Sequence, residues 1–300
     1  VCKPGFLAYV NNPSKVSFPW TMIDKITPRP DAKIEKILAD DGIEQLEPVI
    51  TSKKTYVAPF VNAEECQYLV IEDNFPNGRP ELEKAGLYFT DRATVDKVEK
   101  MKVCTCLNPL HTFLAVSGCL LGYTLIADEM KDPDLLALVK RLGYDEGLPV
   151  VVDPGIIKPR NFIDEVVNIR IPNPFMPDTP QRIACDTSQK LSIRFGETIK
   201  GYLARPELKL SNLKVLPLVF ALWLRYLTGI GDDGKPFELS PDPLLGDCKK
   251  YVPGDIESLL HRKEIFGVDL FEAGLADTVK AYFAKLNAGN GAVREVLKSL

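Results

Sequence analysis

From about residue 92 onward, this sequence reads as one helix after another. Apolar residues recur at three and four positions apart, the spacing that gives a helix one buried face. The predicted helical segments are 94–102, 105–127, 132–141, 159–169, 188–204, 213–227, 255–266, 270–287 and 292–300, with the third stopped at Gly143. A chain with this pattern is predicted to fold as a mainly α-helical domain.

The residues before this point have a different character. Residues 31–41 have apolar side chains at helical spacing. Short β-branched or aromatic runs, bounded by Asn, Pro and Gly, are typical of strands, and they occupy residues 48–57, 67–72 and 86–90. We therefore predict two parts: a smaller α/β portion over residues 1–95 and a mainly α-helical domain over residues 96–300.

Charge and composition argue against several classes of partner. The chain has a net charge of −4 and no basic stripe, so neither nucleic acid nor an anionic membrane is an expected partner. The most apolar run, 213–227, is shorter than the roughly 20 residues of a membrane helix and is predicted to lie in the core. The seven scattered cysteines indicate free thiols in a reducing cytoplasm, and none has metal-site spacing.

The segment 102–111, KVCTCLNPLH, contains three side chains that can take part in catalysis. Lys102, Asn108 and His111 supply an amine, a carboxamide and an imidazole, and His111 is one of only two histidines. On a helix, Asn108 and His111 share a face. A titrating amine beside amide and imidazole donors suits carbonyl–alcohol interconversion without a metal. Each also has a structural alternative: an exposed lysine, a helix cap before Pro109, and a histidine satisfied in a core.

The same segment resembles the signature of the polyol-specific long-chain dehydrogenase/reductases, the mannitol dehydrogenase family. That signature is a lysine, an asparagine and a histidine followed by an apolar helix. Two further stretches resemble the family in the same order: residues 17–30, SFPWTMIDKITPRP, and residues 180–190, PQRIACDTSQK. The resemblance spans about residues 17–200 and favours the fructuronate reductase branch.

The resemblance implies a metal-independent enzyme that uses NAD, or NADP, on a small sugar acid or polyol. Lys102 would be the general acid and base, and Asn108 and His111 would polarise the carbonyl. Arg182 and Lys190 would bind the far end of the substrate, where a guanidinium suits the carboxylate of a uronate. Asp24 would contact substrate hydroxyls or hold Lys102.

This chain departs from the family pattern in two respects. The family lysine stands one position nearer the asparagine, where this chain has Val103; a bulge or bend before the helix would restore the aim of Lys102, and Lys100 is the weaker substitute. The family's N-terminal Rossmann domain is also largely absent, so the fold expected here is the helical substrate domain of a two-domain dehydrogenase. An upstream asparagine of the family site has no convincing counterpart in Asn11 or Asn12.

Other features are predicted to be structural. The stretch 229–234, GIGDDG, matches a dinucleotide-binding pattern, but a helix precedes it and its two aspartates would repel phosphates. It is therefore predicted to end a helix with a polar turn. His261 is predicted to lie on the surface, and Trp20 has a core position as its plain alternative.

Two other functions stay open at the level of sequence. One is a mannitol 2-dehydrogenase acting on fructose, in which the cations would have less to do. The other is a non-catalytic helical binding module that lacks a cofactor domain. Failure to bind NADH with retained folding and sugar-acid binding would favour the latter.

Overall fold

The computed structural model describes residues 3–23, 25, 30–61, 63 and 68–300. Its N-terminal portion contains helices and short strands: α1 Phe6–Val10, β1 Thr21–Ile23, α2 Ala32–Asp40, β2 Val49–Ile50, β3 Tyr56–Val57, β4 Leu69–Glu72 and β5 Tyr88–Thr90. Strand β4 is central, antiparallel to β1 and parallel to β5, and β2 and β3 form a separate antiparallel pair. The predicted helix and strands are confirmed, and β1 and α1 are additional.

Apolar surface remains exposed in this N-terminal portion. A small core forms where Val70 of β4 meets Val95 and Val98 of the next helix. In contrast, large apolar side chains face solvent at Phe6, Leu7, Phe18, Val49, Ile50 and Val61. Exposed apolar area of this kind commonly marks a surface that another element covers.

The rest of the chain is helical. The α-helices are α3 Arg92–Lys100, α4 Asn108–Leu121, α5 Ile126–Glu129, α6 Pro133–Lys140, α7 Pro159–Glu165, α8 Pro180–Ile183, α9 Thr187–Leu191, α10 Glu197–Leu203, α11 Val215–Leu227, α12 Leu245–Cys248, α13 Ile256–Leu260, α14 Lys263–Phe266, α15 Ala276–Leu286 and α16 Ala292–Lys298. Turns of 3-10 helix occupy Leu82–Ala85, Leu148–Val150, Leu210–Asn212 and Lys249–Tyr251. The mainly α-helical prediction is confirmed.

Four helical segments contain a π-helical turn, in which the hydrogen bond spans five residues and one extra residue is accommodated. These turns are Met101–Cys106, Arg141–Gly147, Val166–Arg170 and Ser192–Gly196. The predicted stop at Gly143 is wrong, because the helix that begins with α6 continues through the second of them. Gly143 is needed for close packing instead, since a Cβ there would lie 2.6 Å from Cδ1 of Ile163.

Helix boundaries differ from the sequence prediction at three other places. The predicted helix 105–127 is interrupted at Leu107 and ends at Gly122, whose positive φ of 78° terminates α4. Residues 255–266 form two short helices, α13 and α14. Helix α15 begins six residues later than predicted, at Ala276.

Helix α11 is the centre of the core. All of its residues from Val215 to Leu227 are buried, and it packs against α4 and α15. The buried carboxylate of Glu146 accepts hydrogen bonds from the backbone N–H groups of Lys214, Val215 and Leu216, each at 2.8 Å. An acid at the N-terminus of a helix satisfies N–H donors that the helix itself leaves unpaired, and its negative charge interacts favourably with the helix dipole. Burial raises the pKa of Glu146, although these three bonds act in the opposite direction.

One segment of the described chain, Arg92–Leu121, is long and apolar enough to cross a membrane by length and composition. However, 78% of its most apolar window is buried inside the fold. Protein packing therefore covers its apolar surface, as in the core helix of a globular domain.

We predict that Glu146→Ala lowers the free energy of unfolding by about 3 kcal/mol, because buried N–H donors of α11 are left unsatisfied. The measurement is chemical denaturation followed by circular dichroism. Glu197→Ala is the matched control, since Glu197 is exposed and, within the described residues, pairs with Lys200 across one turn. Equal losses in the two variants would contradict a capping role for Glu146.

Candidate active site

The predicted site residues Lys102, Asn108 and His111 lie on two sides of a helix break. Lys102 is partly buried in the π-helical turn Met101–Cys106, and its carbonyl accepts a hydrogen bond from Leu107 N–H at 3.1 Å, five residues on. Leu107 then leaves helical geometry, with φ −126° and ψ −61°. Helix α4 begins at Asn108, with Pro109 in its first turn, so the helix cannot simply continue through this point.

The side chain of Asn108 does not cap α4. The N-cap position is held by Leu107, which makes no side-chain capping bond, and the backbone carbonyl of Asn108 accepts from the Thr112 hydroxyl at 3.0 Å. Within the described residues, the Asn108 carboxamide has no hydrogen-bond partner, so it can donate to a ligand. The capping alternative for Asn108 is therefore wrong.

His111 opens onto a small cavity of about 20 Å³, enough for roughly one water molecule. The remaining walls are Leu107, Ile126, Arg170, Ile171, Met176 and Asp178. Neither ring nitrogen of His111 is hydrogen-bonded within the described residues. The alternative of a histidine satisfied inside the core does not match this position, because no described side chain or backbone group pairs with the ring nitrogens.

Cations surround His111. Burial lowers the pKa of His111; Asp178 acts in the opposite direction, and the guanidinium charges of Arg194, Arg170 and Arg182 lower the pKa further. The imidazole is therefore neutral near pH 7 and offers one donor and one acceptor. Arg170 and Asp178 line the same cavity, so the cavity has charged walls of both signs.

Arg182 and Lys190 lie in different surroundings. Arg182 pairs with Asp178 one helical turn earlier, with Nε 2.8 Å from Oδ1, and its side chain is 56% exposed. The Lys190 ammonium donates to the backbone carbonyls of Ile183 and Cys185. Burial lowers the pKa of Lys190, and the charge of Arg194 lowers it further. The two predicted substrate-binding cations are thus each engaged within the chain, Arg182 near His111 and Lys190 near Arg194.

Three charged residues near the site were missed by the sequence analysis: Arg170, Asp178 and Arg194. Arg170 is only 7% exposed, which its position in a helical pattern did not indicate. Asp178 and Arg182 have the four-residue spacing of a helical ion pair, and Arg194 follows Lys190 at the same spacing. This four-residue spacing is the sequence signal by which Asp178 and Arg194 could have been found.

The other predictions have mixed outcomes. Asp24 lies outside the described residues. Trp20 is not a core residue: it is 47% exposed, and the Arg92 guanidinium lies 4.7 Å from its ring centroid. His261 is at the surface as predicted, where Nδ1 lies 2.8 Å from Asp269 and the ring stacks on Phe271.

The stretch 229–234 has a structural role, as predicted. It follows the end of α11, and the Asp232 carboxylate accepts from the N–H groups of Val293 at 2.8 Å and Arg294 at 3.1 Å. These contacts cap α16, so the carboxylate that would repel a phosphate instead fixes the last helix. Within the described part of the chain, no group of three or more His, Cys, Asp or Glu side chains is placed to hold a metal ion.

Comparison with known proteins places the chain in a family. Residues 94–287 match the family model described as the mannitol dehydrogenase C-terminal domain. The chain belongs to the mannitol dehydrogenase family. D-mannonate oxidoreductase of Thermotoga maritima is 57% identical over 298 residues, which cover 95% of this chain and 55% of the relative. Mannitol dehydrogenase 2 of Saccharomyces cerevisiae is 31% identical, covering 97% of this chain and 55% of the relative.

The fold agrees with that of a solved family member. Mannitol 2-dehydrogenase of Pseudomonas fluorescens, in a ternary complex with NAD and D-mannitol, superposes with a TM-score of 0.76 at 28% identity. The match covers 95% of this chain and 55% of that one. The chain therefore spans about half the length of the relatives it matches, and it corresponds to a C-terminal part of the family.

We predict that His111 stays neutral well below its ordinary pKa of about 6.5, because burial and nearby guanidinium groups disfavour the imidazolium. The unfolded chain binds this proton at the ordinary pKa. The contribution of His111 to stability is therefore present above about pH 6.5 and is lost as the pH falls below it. Titration by NMR of the two histidine ring signals checks this, with His111→Gln assigning them. A midpoint at or above 6.5 for His111 would contradict the prediction.

Proposed function

We propose that this chain forms the substrate-binding part of an NAD(P)-dependent, metal-independent oxidoreductase that interconverts a keto sugar acid and its alcohol. The observation that carries this proposal is the helix junction at Leu107. It lies between Lys102 on one side and, on the other, a carboxamide and an imidazole that have no hydrogen-bond partner among the described residues, and the charges of three arginines act on the imidazole. The name of the Thermotoga relative supports the same class of reaction.

The proposed chemistry follows from what these side chains can donate. The carboxamide of Asn108 and the neutral imidazole of His111 hold the carbonyl oxygen and stabilise the negative charge that develops on it. The Lys102 ammonium gives that oxygen a proton, and in the reverse direction the Lys102 amine removes it. A nicotinamide cofactor supplies the hydride when bound.

The described residues fit only the end of such a cofactor that transfers the hydride. The unpartnered donors of Asn108 and His111 suit a carbonyl placed beside a hydride donor. The described residues offer no loop for the phosphates, since the stretch 229–234 caps α16 instead. We propose that a dinucleotide-binding domain of the family type covers the exposed apolar surface of the N-terminal portion and completes the site.

The π-helical turn at Met101–Cys106 accounts for the offset of Lys102 in this proposal. In a regular α-helix, one extra residue turns a side chain by about 100°. A π-helical turn accommodates one extra residue without passing that rotation on to the following helix. We therefore propose Lys102 in the place of the family lysine, with Lys100, which is exposed and pairs with Asp96 at 2.9 Å, as the weaker substitute.

An acidic substrate is favoured by the charge around His111. Within the described residues, the largest charge effects on the pKa of His111 come from Asp178, which raises it, and from Arg194, Arg170 and Arg182, which lower it. The whole chain has a net charge of −4, so this concentration of cations is local. Such a site attracts an anionic ligand, and we propose D-fructuronate and D-mannonate as the substrate pair.

A second candidate, mannitol 2-dehydrogenase, is favoured by a specific observation. Arg182 is already neutralised by Asp178, and Lys190 is engaged by carbonyls. A neutral hexitol needs no unengaged cation, and the Pseudomonas fluorescens neighbour is a complex with D-mannitol. A third candidate, a non-catalytic binding module, would bind sugar acids without NADH.

We expect Lys102→Ala in the natural full-length protein to lower kcat for NADH-dependent sugar-acid reduction by about 10²–10⁴-fold, the usual contribution of general acid catalysis. Lys100→Ala is the matched control, because Lys100 is near in sequence but exposed in a surface ion pair. Full activity of Lys102→Ala, or a larger loss in Lys100→Ala, would overturn the assignment.

We expect the natural full-length protein to oxidise NADH with fructuronate and not with fructose. Arg182→Leu should raise KM for the uronate at least tenfold, because a charge-assisted hydrogen bond to its carboxylate is lost. Arg160→Leu is the control, since Arg160 makes a similar exposed pair with Asp164. Turnover of fructose alone, little affected by Arg182→Leu, would support the mannitol 2-dehydrogenase instead.

A further inference from the structure

The break at Leu107 creates a positioning problem for the proposed site. Lys102 lies on the helical segment before the break, whereas Asn108 and His111 lie on α4 after it. Regular α-helical hydrogen bonding does not run through this point, because Leu107 has non-helical dihedrals and Pro109 lacks a backbone donor. At the break, Leu107 N–H donates to the Lys102 carbonyl and His111 N–H donates to the Leu107 carbonyl, each at 3.1 Å, and side-chain contacts can add to the placement of the two segments. Catalysis by all three residues requires their relative placement to be held to a fraction of an ångström.

Two side chains of a neighbouring helical segment, Arg194 and Thr198, contact the chain on either side of this break. Arg194, in the π-helical turn Ser192–Gly196, donates from Nη1 to the Thr112 hydroxyl at 2.5 Å. Thr112 in turn donates to the carbonyl of Asn108 at 3.0 Å, and the same Nη1 lies 3.5 Å from that oxygen. These contacts hold the first turn of α4.

The segment before the break is held by Thr198, which lies one helical turn after Arg194. Thr198 donates from its hydroxyl to the carbonyl of Cys104 at 3.3 Å, which lies in the same π-helical turn as Lys102. Arg194 and Thr198 are four residues apart and so face the same way. Together they tie the segment that carries Lys102 and the segment that carries Asn108 to one support.

The helical segment that carries Arg194 and Thr198 is itself tightly packed. Gly196, between Arg194 and Thr198, packs directly against the backbone after α14, and a Cβ there would lie 2.5 Å from the Phe266 carbonyl oxygen. Backbone contact this close leaves the π-helical turn little room to shift.

Stability alone is a poor explanation for an arginine here. Within the described residues, Arg194 has no carboxylate at ion-pair distance. It lies at the N-terminal end of α4, where the helix dipole disfavours a cation. Burial lowers the pKa of Arg194 to about 10, which is a sign that the charge is disfavoured there.

We infer that Arg194 is a positioning residue that, through Thr112 and in concert with Thr198, sets the placement of Asn108 and His111 relative to Lys102. This inference rests on the proposed function. It assigns Arg194 no contact with substrate; its effect passes through the first turn of α4.

The test compares Arg194→Met, Arg194→Lys and Thr112→Val in the natural full-length protein. We expect Arg194→Met to lower kcat about 10²-fold, the scale of loss from a displacement of about 1 Å. KM should change less than about threefold, since ground-state binding is not removed. Arg194→Lys should recover at least part of the loss, and Thr112→Val should reproduce part of it while the charge is kept.

Arg225→Met is the matched control. Arg225 is also buried, donates to a threonine hydroxyl, Thr228 Oγ1, at 2.5 Å, and donates to the carbonyls of Leu286 and Gly231, each at 3.2 Å. It makes the same kinds of bond at the far end of α11, remote from Asn108. Its loss should lower thermal stability and leave kcat unchanged at temperatures where the protein stays folded.

The outcomes separate the two proposals. If the unaltered protein turns over no sugar acid or polyol, the proposed function fails. If it is active and Arg194→Met keeps its kcat, raises only KM, or loses no more kcat than Arg225→Met, the positioning role is wrong. If Arg194→Met does not fold, Arg194→Lys and Thr112→Val decide by the same criteria.

Discussion

Burial of α11 is the constraint on which the rest of the helical domain depends. A helix that is apolar on every side must be surrounded, and its ends must find hydrogen-bond partners that water would otherwise supply. Glu146 meets that need at the N-terminus, from a π-helical turn in a separate helix. Helix α4 packs on α11, so the first turn that presents Asn108 and His111 takes its position from this buried element.

Much of the architecture was predictable because it follows from the period of apolar residues. Residues 213–227 were predicted as a core helix, and residues 215–227 form one. The sequence motif also predicts Lys102, Asn108 and His111 as the site residues, and their catalytic roles stay a prediction. The break at Leu107 and the four π-helical turns were not predictable, because a single extra residue barely changes a periodic pattern. Arg170 illustrates a further limit: a buried arginine and an exposed one look alike in a sequence when their partners lie far along the chain.

Three of the π-helical turns lie at or beside the candidate active site. The turn that contains Lys102 packs against the turns at 192–196 and 141–147, and Lys102, Arg170 and Arg194 each lie in a π-helical turn. Such turns are less favourable than regular helix and are often found at functional sites. Arg170 lines the cavity beside His111 and Arg194 donates to Thr112, so cations from two of these turns approach α4.

The exposed apolar surface of the N-terminal portion has a thermodynamic consequence. Any domain that covers it binds the folded form of this portion in preference to the unfolded form, and it therefore stabilises that form by mass action. Among the described residues before α3, Val70 is the one apolar side chain that is fully buried, and it packs on Val95 and Val98 of α3. For the dinucleotide-binding domain proposed above, folding of this portion and docking of that domain would be one coupled equilibrium, in which each depends on the other.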